Sequence, residues 1–128
     1  MVRGIIFDLD GVLLNSEPAN IAAGQSAFAV FGYTLSENDH KLIPGRHSTD
    51  YIPAIIERNN LSFSQNQVIA ACHQSYQALW EKMVTLIPGA RETLSNLKQK
   101  GIVLALATSS DNNFVARFLE KFGFKDTF

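Results

Sequence analysis

Two short apolar runs, Val2 to Leu9 and Ile102 to Ala107, each break off at polar turn residues: Asp8-Leu9-Asp10-Gly11 after the first and Thr108-Ser109-Ser110 after the second. Unbroken apolar sequence over so few positions suits a strand covered on both faces, as in a parallel sheet between helices. The segment before the second run places Ala90, Leu94 and Leu97 on one helical face and ends at Gly101, a C-terminal cap. The segment after it repeats Phe114, Val115, Phe118, Leu119 and Phe122 at helical spacing and closes at Gly123, which makes those phenylalanines core residues. This strand, helix, strand, helix order calls for an α/β fold with a partial Rossmann-like parallel sheet.

Between the two runs the sequence shows helical periods and no convincing strand. Ser16 is placed to cap a helix with Pro18 in its first turn and Ile21, Gly24, Phe28 and Phe31 along one stripe. Ser36 is placed to cap a short helix, and Ser48 a third carrying Tyr51, Ile52, Ile55 and Ile56. Ser64-x-x-Gln67 reads as a capping box opening a longer helix with Val68, Cys72, Tyr76, Leu79 and Met83 inward. The pattern predicts an insert of four helices over residues 15–87, between two parts of an α/β lobe, 1–14 and 88–128. Asn15-Ser16 and Ile87-Pro88-Gly89 serve as the two linkers.

A formal charge of −1 offers no basic field for nucleic acid or an anionic membrane, and neither is expected as a partner. Cys72 is the single cysteine, so an internal disulfide, a Cys-based zinc site and a redox pair are all excluded. The apolar run at the N-terminus is too short for a signal peptide, and no stretch approaches the ~18 apolar residues of a membrane span. A cytoplasmic location is expected. Function must reside in a local site.

Two carboxylates at i and i+2, where an apolar strand runs out into a glycine turn, lie at the carboxyl end of a parallel strand, the usual ligand-binding end of an open α/β sheet. Such a pair suits metal-assisted phosphoryl transfer: magnesium takes oxygen ligands, one carboxylate can act as nucleophile and the other can move a proton. Two solvated turn aspartates would give the same four letters. Thr108 ends the other strand and precedes a helix whose N-terminal amides favour an anion, while Thr108 to Ser110 could equally do no more than cap that helix. In the insert, Ile43-Pro44-Gly45-Arg46-His47-Ser48 presents an arginine from a glycine turn, either as a clamp for a carboxylate or second phosphate or as a solvated side chain. His40, His47 and His73 lack metal-ligand spacing, and Tyr76 and Trp80 read as packing residues.

The string Phe7-Asp8-Leu9-Asp10-Gly11-Val12-Leu13-Leu14-Asn15-Ser16-Glu17-Pro18 closely resembles the first motif of the haloacid dehalogenase superfamily, in the branch whose helical cap follows that motif. Leu104 to Ser110 resembles the second motif, and Ile87-Pro88-Gly89-Ala90 the return from cap to core. The resemblance covers essentially the whole chain and points to the phosphatase and beta-phosphoglucomutase-like branch. It implies that Asp8 is the nucleophile and a Mg2+ ligand, that Asp10 is the general acid/base and binds the same ion through its carbonyl, that Thr108 and Ser109 hold the phosphoryl oxygens, and that Gly45 and Arg46 face the substrate. The implied activity is magnesium-dependent hydrolysis of a small phosphate ester through an aspartyl phosphate. A dehalogenase is the weaker reading, because a halide leaving group needs no proton from Asp10.

Two departures matter. Many capped relatives have Asp at the position of Asn15 and His at that of Asn20; the His handles protons in the sugar-phosphate mutase branch, so Asn20 counts against a mutase, the runner-up enzyme. The resemblance also implies a lysine and an acidic motif beyond Phe128, so the chain reads as truncated. The expectations are an impaired or catalytically silent fragment that binds phosphate or a partner, and self-association through an exposed core strand edge.

Overall fold

In the computed structural model, which describes residues 2–128, the elements run β1 (Gly4–Phe7), β2 (Leu14–Asn15), α1 (Glu17–Val30), α2 (Glu37–His40), α3 (Ser48–Arg58), α4 (Gln65–Met83), β3 (Thr85–Leu86), α5 (Ala90–Gln99), β4 (Val103–Leu106) and α6 (Asn112–Phe122). The chain divides into two compact units: residues up to Asn15 together with Thr85–Phe128, and Ser16–Val84. The first is α/β and the second consists of α1 to α4. No helix among the described residues is long and apolar enough to cross a membrane.

In the α/β unit β1 and β4 pair in parallel, with Gly4 opposite Val103, Ile5 opposite Leu104, Ile6 opposite Ala105 and Phe7 opposite Leu106. One face carries Ile5, Phe7, Leu104 and Leu106, all buried or half-buried, above a core that includes Leu94 and Phe118. The other face is open: Ile6 is 71% exposed and Val103 70%. Coverage on both faces, expected from the unbroken apolar runs, is therefore not found among the described residues. The runs report what the strand residues would bury, and helices lie against one side alone. The strands are also shorter than the apolar runs, because Asp8 and Leu9 turn out of the sheet and Ala107 lies past its end. The short strands β2 and β3 pair antiparallel, Leu14 with Leu86 and Asn15 with Thr85, where the chain leaves and rejoins this unit.

At the end of the chain aromatic stacking replaces regular structure. Phe118 packs on Phe122 and Phe124, Phe124 on Phe128, and the Arg91 guanidinium lies 4.8 Å from the centre of the Phe124 ring. Phe118 is fully buried while Phe114 and Phe122 are half-buried, so the helical stripe is core with its margins at the surface.

The helical unit has its own core, built from Ala23, Ala27 and Phe28 of α1, Tyr51, Ile52, Ile55 and Ile56 of α3, and Val68 and Cys72 of α4, with Tyr76 and Leu79 alongside. Small residues on α1 allow close approach: a Cβ at Gly24 would lie 2.9 Å from the Tyr51 hydroxyl, which itself contacts Cys72 Sγ at 3.2 Å. Trp80 is fully buried, as a packing residue should be. Three expected caps are absent. Ser16 makes no side-chain cap, the Ser64 capping box does not form, and His47 rather than Ser48 stands at the N-cap of α3. Ser48 instead contacts His73 Nε2 at 3.0 Å.

Ser36 does cap α2, through a capping box with Asp39, a fully buried carboxylate. Asp39 Oδ2 accepts from the Tyr33 hydroxyl at 2.9 Å and from the Ser36 N–H and hydroxyl at 2.9 and 2.6 Å, and Oδ1 accepts from Asn59 Nδ2 at 2.9 Å. Burial pushes this carboxyl up, but the four donors outweigh it and hold the pKa at about 2, below the ordinary 3.8. Because the folded value is the lower one, the unfolded chain takes up the proton first as pH falls. The stabilisation is complete above about pH 4 and is lost between 4 and 2. Asp39→Asn is expected to cost about 1–3 kcal/mol at neutral pH by facing an amide toward buried donors. In urea titrations at pH 7, 4 and 3 the gap between wild type and variant should narrow as the acid limit is approached; a gap constant across that range would show that the charge on Asp39 contributes nothing.

Candidate active site

The parallel pairing sets the two sequence motifs side by side. Phe7 lies opposite Leu106, and the Ala107 N–H donates to the Phe7 carbonyl at 2.8 Å, so Asp8 and Thr108 emerge together from the carboxyl ends of neighbouring strands. Beyond Asp8 the chain folds back at once. The Leu9 carbonyl accepts from the N–H groups of Val12, Leu13 and Leu14 at 3.3, 2.9 and 2.9 Å, and the Gly11 N–H donates to the Leu14 carbonyl at 2.8 Å. Gly11 has φ +76°, a conformation that suits glycine because it lacks Cβ, and Asp10 bridges to Leu14. Leu9, Leu13 and Leu14 are buried beneath this loop, while Asp8 and Asp10 remain exposed on it.

Asp8 Oδ1 accepts from the Leu9 N–H at 2.7 Å, which fixes one carboxylate oxygen against the backbone. Asp10 Oδ2 accepts from the Ser110 hydroxyl at 3.1 Å, a contact between residues one hundred positions apart that joins the two motifs directly. Thr108 is half-buried, and its Oγ1 accepts from the Ser110 N–H at 3.1 Å; Ser109 is exposed between them. Of the expected site residues, Asp8, Asp10, Thr108 and Ser109 thus share one end of one sheet. Gly45 and Arg46 belong to the helical unit, both exposed, in a turn where the Arg46 N–H donates to the Ile43 carbonyl at 3.1 Å and Gly45 has φ +70°.

Ser110 is the site residue that sequence reasoning placed elsewhere. Thr108 to Ser110 were offered by the sequence as an alternative cap for α6, but the N-cap is Asp111, whose side chain accepts from the Phe114 N–H at 2.9 Å. Asp in that position is as strong a capping signal as Ser, and with Asp111 engaged Ser110 can turn back to Asp10. The capping carboxylate also occupies one of the helix N-terminal amides that would otherwise attract an anion.

Among the described residues no group of three or more His, Cys, Asp or Glu could hold a metal ion. Asp8 and Asp10 offer hard oxygen donors, however, and magnesium binds through one or two carboxylates with substrate phosphate and water completing its shell. The donor chemistry of this end of the sheet therefore fits magnesium.

Residues 5–128 match the family model for haloacid dehalogenase-like hydrolases. The chain belongs to that family. A phosphorylated carbohydrates phosphatase from Thermotoga maritima is 30% identical over 109 residues, covering 85% of this chain and 50% of the relative. A phosphoglycolate phosphatase from Vibrio cholerae is 33% identical over 129 residues, covering 95% and 57%. The solved structure of Mycobacterium tuberculosis protein tyrosine kinase A superposes with a TM-score of 0.82 at 29% identity, covering 99% of this chain and 57% of the other. The chain thus spans between half and three fifths of the length of these proteins.

The Ser110 contact generates a prediction about proton transfer. If Asp10 carries the proton to a leaving group, Ser110→Ala should leave the fold intact and lower turnover of esters with poor leaving groups by about tenfold, the loss expected for one hydrogen bond that orients a charged group. Esters with good leaving groups should respond less. A uniform loss across a leaving-group series would place Ser110 in binding rather than in orienting Asp10.

Proposed function

We propose that this chain carries the nucleophile and phosphate-binding part of a magnesium-dependent phosphohydrolase acting on a small phosphate ester through an aspartyl phosphate. The observation that carries the reading is the Ser110 to Asp10 hydrogen bond at the carboxyl ends of β1 and β4, which makes one constellation of two motifs. The phosphatase relatives support the reaction class. Asp8 and Asp10 would hold the ion, which when bound supplies charge neutralisation for the phosphoryl oxygens.

In this reading a carboxylate oxygen of Asp8 attacks phosphorus, the bond from phosphorus to the ester oxygen breaks, and protonated Asp10 gives its proton to the leaving alkoxide. The Asp10 carboxylate then accepts a proton from water as that water attacks the phosphorus of the acyl phosphate, which releases inorganic phosphate and restores Asp8. Thr108 and Ser109 bind the oxygens that stay with phosphorus, while Ser110 directs Asp10. Gly45 and Arg46 select the substrate, with the guanidinium suited to a second anionic group. Asn20 argues against the mutase alternative, since an amide at that position moves no proton at neutral pH. A cytoplasmic location and a small-molecule partner belong to the same reading.

The reading predicts that Asp8→Asn abolishes the base-labile phosphoenzyme formed when the chain is incubated with magnesium and a labelled aryl phosphate, and that chelation does the same. With two aspartates as the donor set, steady-state turnover by residues 1–128 should be slow even where trapping succeeds. A base-labile phosphoenzyme that survives in Asp8→Asn would remove Asp8 from the nucleophile role.

The open sheet face favours a second reading, self-association. Ile6 and Val103 present an apolar surface, and among the described residues β1 pairs with β4 on one side, leaving a second edge that can template pairing with another copy. Light scattering should show concentration-dependent oligomers that Ile6→Glu disperses. A wild-type chain that stays monomeric to its solubility limit would dismiss this reading.

A further inference from the structure

Within the helical unit, α1 sends two polar side chains three residues apart, hence on one face, to a single loop. Glu17 Oε2 accepts from the Gly45 N–H at 3.5 Å, and Asn20 Nδ2 donates to the Arg46 carbonyl at 3.4 Å. The loop is anchored on its other side by the fully buried Ile43, whose carbonyl accepts from the Arg46 N–H at 3.1 Å. Arg46 thus stands on a turn whose backbone is held from two directions, with its side chain exposed.

The second Glu17 oxygen, Oε1, is shielded from solvent and has no hydrogen-bond partner. Leaving a carboxylate oxygen in that condition is costly, and such groups in native structures call for a reason. The neighbouring phenol does not supply a partner: the Tyr51 hydroxyl contacts Cys72 Sγ, although Glu17 is near enough that its charge adds to burial and to Cys72 in raising the Tyr51 pKa. A glutamine would offer the same acceptor to Gly45 without a charge to shield. The bonds to the loop are longer than the ~2.7–2.9 Å of charge-assisted contacts, so they restrain the turn without locking it.

We propose that Glu17 and Asn20 are positioning residues that set the reach of the Arg46 guanidinium, and through it the preference for phosphate esters bearing a second anionic group. This rests on the reading of Arg46 as a substrate-selecting residue. Neither side chain needs to touch the substrate. Their effect passes through the backbone of Gly45 and Arg46, so truncating them should release the loop and blunt selectivity without altering the core of the helical unit.

The test uses the full 128-residue chain and two readouts. In amide hydrogen exchange by NMR, Glu17→Ala should speed exchange at Gly45 by about three- to tenfold, as loss of a weak bond to a charged acceptor implies, and Glu17→Gln should restore protection. In binding, the preference for 2-phosphoglycolate over inorganic phosphate should fall in Glu17→Ala and Asn20→Ala, and neither substitution should lower it further once Arg46→Ala is present. Equal loss of both ligands, with a lowered unfolding midpoint, would mark Glu17 as merely structural and overturn the proposal. Unchanged exchange at Gly45 would overturn it as well. If exchange rises in Glu17→Ala but Arg46→Ala keeps the full preference, the assignment of Arg46 itself fails, and with it the selectivity that Glu17 is proposed to control.

Discussion

The parallel register between β1 and β4 is the constraint on which the candidate site depends. Four residues on each strand and one further hydrogen bond from Ala107 to Phe7 decide that the end of the first apolar run meets the end of the second. Were the register to slip by one residue, Thr108 would no longer emerge beside Asp8 and the two strands would turn opposite faces to the helices. Parallel strands cannot be joined by a tight turn, so this pairing requires a long connection. The helical unit occupies most of it.

The turn after β1 converts that register into a site. Three amides converge on the Leu9 carbonyl, and the buried leucines beneath it leave no alternative route for the backbone. Polar side chains on such a loop are directed outward by what is packed below them, which explains how Asp8 and Asp10 stay exposed between buried Leu9 and the buried pair Leu13 and Leu14. Ser110 then meets Asp10 because Asp111 has already satisfied the start of α6. Capping and site geometry are coupled through two adjacent residues.

The α/β class, the four inserted helices and the positions of Asp8, Asp10 and Thr108 were legible in the sequence, since each rests on local periodicity or on a motif at a strand end. Ser110 was not, because choosing between two adjacent capping residues requires knowing which one has a competing partner a hundred positions away. Asp39 was missed for a related reason: its four donors come from Tyr33, Ser36 and Asn59, and an acidic letter on a short helix gives no sign of burial. The open face of the sheet escaped as well. An apolar run records a demand for burial, and whether a helix meets that demand depends on packing that no run of eight residues encodes. Ser64-x-x-Gln67 shows the opposite error, a correct helix start with the wrong atoms holding it.

The two-residue pair of β2 and β3 bears on how such a chain can change over time. Leu14 and Asn15 lie opposite Leu86 and Thr85, so the stretch between them leaves and returns within the spacing of adjacent strands, roughly 5 Å. Closing so long a loop has an entropic cost that grows slowly with length, and the pairing at its mouth meets that cost whatever lies beyond. Helices can be lengthened, exchanged or lost in the interior while the aspartates see the same neighbours. A chain arranged in this way can vary its helical insert and its sheet end on separate schedules.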